Sequence, residues 1–305
     1  MPGHLIHIGY PKTASTLLQL WFARHPALAY AETGLAGFHN VYDVCRQSAA
    51  PAPEIRYRVT SCEALATPHG EVGHLISKRH RERPDEMPDA QARACRILHE
   101  LFPTAHVLLV TRGFRSIILS GYSQYVREGG QEDFYAFRPP SAAPATGEKN
   151  VWNYDYLIGL YRAAFGDRLI VLPYELLRDD AGAFFAELEK RLGLDPFAPP
   201  AERPNASLSP VELRWYPRMT RLVRRLPLGD RIRSAVLRRY IPAVEKNRFR
   251  RLIGLLQHVR PAQPVTIDLV SDEAVNYFRG RADLLRGDPL YAPYAADYLL
   301  DRPTL

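Results

Sequence analysis

Lys12, Thr13, Ser15 and Thr16 fall within five residues of one another, after the apolar run Leu5-Ile6-His7-Ile8-Gly9 and before the helical pattern opened by Leu17 and Leu18. A lysine and three hydroxyls between a strand and a helix make an anion site. The first turn of a helix leaves backbone N–H groups unpaired and carries a partial positive charge, so a phosphate-sized group docks there. The loop Tyr10-Pro11-Lys12-Thr13-Ala14-Ser15-Thr16 is not a Walker A loop, which needs Gly-x-x-x-x-Gly-Lys-Ser/Thr. Pro11 stands before the lysine, and the nearest glycine is Gly9. A second cation and hydroxyl follow: Arg112 ends the apolar run 106–111, and Ser120 lies eight residues on. The planar guanidinium fork and the hydroxyl suit a dianionic phosphate.

The first loop resembles the 5′-phosphosulfate loop of the sulfotransferases, Tyr/Gly-Pro-Lys-Ser/Thr-Gly-Thr/Ser-Thr, with Ala14 where the family has glycine. Alanine disfavours positive φ, so this departure predicts a helical conformation at Ala14. The run Arg112-Gly113-Phe114-Arg115-Ser116 through Ser120-Gly121-Tyr122 is similar to the family's 3′-phosphate motif. Phe114 replaces its proline and Ser116 its aspartate, and neither change removes a phosphate ligand. Pro173-Tyr174-Glu175-Leu176 is similar to the family's Tyr-Glu-Asp/Asn-Leu segment, whose tyrosine lies near the adenine. Tyr174 then either meets the base or packs the helix that follows. Arg203-Pro204-Asn205-Ala206-Ser207-Leu208-Ser209 resembles an Asn- and Ser-rich segment near the 3′-phosphate end of the family's site. The resemblance covers residues 4 to about 210.

What the resemblance implies is 3′-phosphoadenosine 5′-phosphosulfate (PAPS) as donor, 3′-phosphoadenosine 5′-phosphate (PAP) as product, and no metal. Pro11, Lys12, Thr13, Ala14, Ser15, Thr16, Arg112, Ser120 and Tyr174 would bind the donor, with Lys12 neutralising charge on the leaving oxygen. Ser61-Cys62-Glu63 matches the Ser-x-Glu context in which bacterial and carbohydrate sulfotransferases carry a glutamate base. The Lys-Thr-His run of the phenol and steroid enzymes is missing. Glu63 is therefore the expected base, with His39 and His69 as rivals. The expected acceptor is a hydroxyl, and in second place an amine, of a small molecule, carbohydrate or glycolipid. Two alternatives stay open: a P-loop kinase using ATP, and a non-catalytic module binding a nucleotide or anionic surface.

The elements that must position these residues alternate. A helix is expected over 16–25, a loop-rich stretch over 26–53, a strand over 55–61, a charged stretch over 68–88 and a helix over 89–101. The continuous apolar run 106–111 reads as a parallel strand buried on both faces. Ser116 is placed to cap a helix reaching Val126. A Pro/Ala/Ser-rich loop spans 139–147, helices are expected over 154–165 and 181–192, and a buried strand over 169–172. Strands alternating with helices predict an α/β, three-layer P-loop-like fold around a central parallel sheet. Helices over 210–226, 230–240, 246–258 and 271–284 follow, the first three rich in arginine. The chain is expected to be one domain over 1–305, with an α/β donor-binding core over 1–200 and a helical C-terminal region over 201–305.

The 305 residues carry a net charge of +7, which favours anionic partners without choosing among them. The arginine-rich helices read first as a solvated face and next as a contact with an anionic membrane. Nucleic acid comes last, because no recognised motif accompanies the charge. The three cysteines, Cys45, Cys62 and Cys95, form no CxxC pair, which points to a reducing compartment. With no signal peptide and no apolar run of membrane length, a cytoplasmic enzyme is expected. The sequon Asn205-Ala206-Ser207 is then a chance match.

Overall fold

The computed structural model describes residues 1–49, 54–68, 87–136, 152–202, 207–227 and 229–301. The expected loop over 139–147, His69 with most of the charged stretch, and Arg203 to Ala206 lie outside the described residues.

Among the described residues five strands form one parallel sheet: β1 (Gly3–His7), β2 (Leu28–Tyr30), β3 (Tyr57–Ser61), β4 (His106–Thr111) and β5 (Leu169–Pro173), in the order β2-β3-β1-β4-β5. The helices are α1 (Ser15–Arg24), α2 (Val41–Ala49), α3 (Met87–Leu101), α4 (Phe114–Arg127), α5 (Tyr154–Phe165), α6 (Tyr174–Asp179) and α7 (Ala181–Leu192). They continue as α8 (Pro210–Arg225), α9 (Asp230–Glu245), α10 (Arg250–Val259), α11 (Asp272–Asn276) and α12 (Ala295–Tyr298). Three departures from the expected elements have local causes. The stretch 26–53 holds the edge strand β2 and the short helix α2, both too brief to show a period. The helix α4 starts at Phe114, whose ring is buried, so Ser116 lies inside its first turn rather than at its cap. The expected helix over 271–284 stops at Asn276, before Gly280 takes the left-handed φ of 65°.

The described residues divide into two compact units. The first comprises those within Met1–Gly113, Pro144–Asn205 and Tyr277–Leu305; the second, those within Phe114–Ala143 and Ala206–Asn276. The first unit is the α/β, three-layer, P-loop-like part. Successive strand residues point to opposite faces. Leu5, Val59, Leu108, Val110, Ile170 and Leu172 meet Leu18, Trp21 and Phe22 of α1 and Phe184, Phe185 and Leu188 of α7. On the other face α5 packs on β4 and β5 and carries α3. Burying a side chain of this size contributes roughly 1.5–3 kcal/mol. Leu18, Trp21 and Phe22 alone therefore outweigh one or two strained residues in the loop before α1.

The second unit is helical. Ser209 caps α8 in a capping box with Glu212, and buried Glu212 also accepts from Asn247 Nδ2 at 2.9 Å. Trp215 Nε1 donates to Gln257 of α10 at 2.8 Å, which fixes α10 against α8. Among the described residues no helix is long and apolar enough to cross a membrane.

Candidate active site

In a parallel sheet, ligands gather beyond the carboxyl ends of the strands, where neighbouring connections leave in opposite directions. Here that point lies between β1 and β4. From β1 the chain runs toward β3 and β2, and β4 pairs with β5 on the opposite side. Four sequence-singled segments begin at four adjacent carboxyl ends: the lysine loop after β1, Glu63 after β3, Arg112 after β4 and Tyr174 after β5. The parallel register pairs His7 with Ser61 and Thr111 with Pro173, so β1 ends level with β3 and β4 with β5. His7 also pairs with Leu108, so β4 and β5 run three residues beyond β1 and β3.

The lysine loop is built from its backbone. Lys12 has φ 70° and Ala14 φ 62°, both left-handed, while Thr13 between them has not. Alternating hands of this kind turn successive N–H groups toward one concavity that accepts an anion. The expectation of a helical Ala14 is corrected: this position uses the conformation glycine adopts freely, and alanine pays for it. The Thr13 hydroxyl donates to Tyr10 O at 2.5 Å, so that side chain ties the turn shut. Ser15 opens α1, whose N-cap residue, Ala14, has no side chain able to cap it. Among the described residues the buried Ser15 Oγ has no hydrogen-bond partner. A buried, unspent hydroxyl at an uncapped helix start fits an oxyanion donor group. Lys12 and Thr16 stand exposed at the rim, and Pro11 is half-buried.

Arg112 braces this loop from β4. Its Nη1 donates to Lys12 O at 2.5 Å, and its guanidinium lies 4.3 Å over the Tyr174 ring. One face of Tyr174 is thus covered by the cation. The Arg112 backbone is held in turn by the Tyr154 hydroxyl, which donates to its O at 2.6 Å and accepts from its N–H at 3.2 Å. Beneath, Glu175 is fully buried; its Oε1 accepts from Gly113 N–H at 3.0 Å and its Oε2 from the Tyr298 hydroxyl at 2.6 Å. Thr111 Oγ1 lies 2.7 Å from the Tyr291 hydroxyl. Burial pushes the phenols of Tyr154, Tyr291 and Tyr298 up, which keeps them protonated donors at neutral pH. It also lowers the Arg112 pKa, opposed by Tyr174 and Glu175, and a guanidinium remains a cation regardless. Gly113 must be glycine, because a Cβ there would lie 2.7 Å from Asp297 Cβ.

Beside the lysine loop sits a second buried polar group. His7, fully buried on the α1 side of β1, places Nδ1 2.8 Å from Ser61 Oγ, which also accepts from Gln19 Nε2 of α1 at 3.2 Å. Desolvation brings the His7 pKa down to about 4, so the ring is neutral at physiological pH. Gly9 leaves room for that ring, since a Cβ there would collide with His7 Nε2. The Cys62 N–H donates to His7 O at 3.0 Å, and Glu63 begins a single 3-10 turn, Glu63–Leu65. The strand pair thus delivers Glu63 half-buried to the site edge. His39 is exposed in the segment after β2.

Ser120 is buried on α4, in the second unit, and its placement is described there alone. Ser209, from the loosely matching Asn/Ser segment, is spent on the cap of α8. Among the described residues no group of three or more His, Cys, Asp and Glu could hold a metal. Sequence reasoning missed His7, Tyr154, Glu175, Tyr291 and Tyr298. The legible signals were a histidine inside an apolar strand and a glutamate directly after Tyr174.

No family model matches the chain, and no curated protein matches it. Among solved structures, a sulfotransferase from Alicyclobacillus acidocaldarius is similar at 16% identity and a TM-score of 0.43, over 67% of this chain and 87% of that one.

Proposed function

We propose that the protein is a sulfotransferase that moves a sulfuryl group from PAPS to a hydroxyl and releases PAP. The observation that carries this reading is the left-handed lysine loop after β1 braced by Arg112 from β4. It is a backbone anion cradle without a Walker glycine, with a second cation set beside it for a second phosphate. The N–H groups of the loop and of α1 hold the 5′-phosphosulfate, with Ser15 Oγ as a donor. Arg112 takes the 3′-phosphate, and Ser120 joins it on the strength of the sequence motif alone. Tyr174, one face covered by Arg112, offers its remaining surface to the adenine.

Sulfuryl transfer, like phosphoryl transfer, is governed by in-line placement and charge stabilisation. The acceptor oxygen forms a bond to sulfur as the bond from sulfur to the bridging phosphate oxygen breaks. Lys12 neutralises the charge that builds on that oxygen. Glu63 takes the acceptor proton and later yields it to water. The acceptor lies on the β2–β3 side. There the Ala36 N–H donates to Thr60 Oγ1 at 2.6 Å, and Leu35, Val41, Tyr42 and Val44 are exposed. Such a surface suits an acceptor with an apolar portion, which favours a glycolipid over a bare sugar. The compartment of action is read as cytoplasmic.

Thermal denaturation with PAP and with ATP tests the reading. Ligand binding to the folded state raises the melting temperature. PAP should raise it and ATP should not. A larger shift with ATP would turn the site into a kinase's, and no shift with either would leave a non-catalytic anion module.

A further inference from the structure

Between Pro210 and Arg260 the chain carries thirteen arginines and one lysine against three acidic residues. That surplus exceeds the +7 of the whole chain, so the remainder is net acidic. The same stretch is unusually apolar at its surface. Of the fourteen large apolar side chains exposed among the described residues, six lie between Leu222 and Val259. Three of them share one helix: Leu252, Leu255 and Val259 of α10 are 44%, 60% and 74% exposed. Spacings of three and four residues put them in one row along the helix. Arg251 and His258, four before and three after Leu255, form the adjoining row, and both are exposed. The inward residue of the same helix, Ile253, is buried, so the outward row is surplus to the unit's own core.

The Trp215–Gln257 hydrogen bond holds α10 on α8. Arg218 of α8 lies 5.3 Å over the Trp215 ring and is exposed. Burial first, then the neighbouring Arg214, Arg260 and Arg221, lowers its pKa against the opposing pull of Asp133, so the far end of the α10 row finishes in a group dominated by cations. An apolar row flanked by guanidinium groups is what a helix lying in the plane of a bilayer needs: carbon for the acyl boundary and cations for anionic headgroups.

We propose that the second unit docks on an anionic lipid surface through the outward face of α10. Leu252, Leu255 and Val259 enter the interface, and Arg218, Arg251 and Arg260 meet the headgroups. Charge decides against a second copy of the chain, because pairing this face with itself would bring its arginines together. The exposed apolar row decides against nucleic acid, where phosphate contacts would leave those side chains idle. The inference stands on the second unit alone and does not depend on the proposed chemistry.

Co-sedimentation of the full chain with vesicles tests it, using phosphatidylcholine alone and equal parts phosphatidylcholine and phosphatidylglycerol. The protein should sediment with the mixed vesicles and not with the neutral ones. Raised salt should weaken but not abolish binding, since the inserted carbon is not screened. Replacing Leu252, Leu255 and Val259 together by Ser should weaken partitioning at least tenfold, as should Arg218→Glu with Arg251→Glu. All five positions are at the surface, and an unchanged melting temperature confirms the fold of each variant. Failure to sediment, equal binding to neutral vesicles, or binding indifferent to the triple serine variant would overturn the proposal. So would a dimer in solution that the triple variant converts to monomer, or tighter binding to duplex DNA than to the mixed vesicles.

Discussion

The carboxyl edge of the sheet and the outer face of the helical unit both collect cations, and they hold them in opposite ways. At the edge, Arg112 is fixed by a loop carbonyl, an aromatic ring and a buried tyrosine on its backbone, and Tyr298 and Glu175 support that layer from below. On the helical unit, Arg231, Arg238, Arg239 and Arg251 stand exposed among apolar neighbours. A cation that must meet one oxygen at one moment needs a scaffold, because small misplacements cost rate. A cation that serves a diffuse surface needs only to be numerous. On the proposed reading the same residue type serves chemistry in one place and attraction in the other, and the supporting hydrogen bonds tell them apart.

The widest gap between the two regions should appear in turnover. Glu63→Gln keeps shape and removes the proposed proton acceptor. Its rate should fall roughly 100- to 10,000-fold in steady-state assays with PAPS, while calorimetric affinity for PAP stays level. Lys12→Ala should cost about 100- to 1,000-fold in turnover with little change in PAP affinity, because the charge proposed as its partner exists fully only in the transition state. An unchanged turnover with a raised Michaelis constant for PAPS would demote Lys12 to the attracting kind.

Acid should strike the edge through His7. Its folded pKa near 4 lies below the unfolded value of 6.5, so the unfolded chain binds the proton more readily. Stability is complete above pH 6.5 and lost as the pH falls toward 4, by on the order of 3 kcal/mol from this group. Urea unfolding across that range should show the loss, and His7→Asn should shrink it. An identical slope in the variant would mean that other groups carry the acid response. The smallest effect concerns the loop backbone: Ala14→Gly should stabilise the fold by about 0.5–1 kcal/mol in the same assay. Destabilisation would contradict the left-handed strain at Ala14.

Much of this edge was readable because its signals are local. Strand, loop and helix start follow one another within Leu5 to Leu18, and Arg112 and Tyr174 directly follow or close strong apolar runs. The strand order was not readable, yet it is what brings the starts of Lys12, Glu63, Arg112 and Tyr174 together. The loop's handedness was misjudged, since Ala14 alone argued for a helix while tertiary packing of α1 overrode that preference. The brace under Arg112 was hidden for another reason. Tyr291 and Tyr298 come from a tail without periodicity, more than a hundred residues away, and only burial beside Thr111 and Glu175 gives them a role. Exposure alone separates the outward row of α10 from its inward Ile253; the sequence shows only a mixed helix.

Calorimetric titration of the purified protein with PAP and with adenosine 5′-phosphate tests the central claim most directly. The two nucleotides differ only in the 3′-phosphate, the group proposed as the partner of Arg112. A charge-assisted hydrogen bond contributes on the order of 1.5–3 kcal/mol, so PAP should bind at least tenfold more tightly. Equal affinities would contradict the assignment of Arg112 to a second phosphate, and with it the sulfotransferase reading of the whole edge.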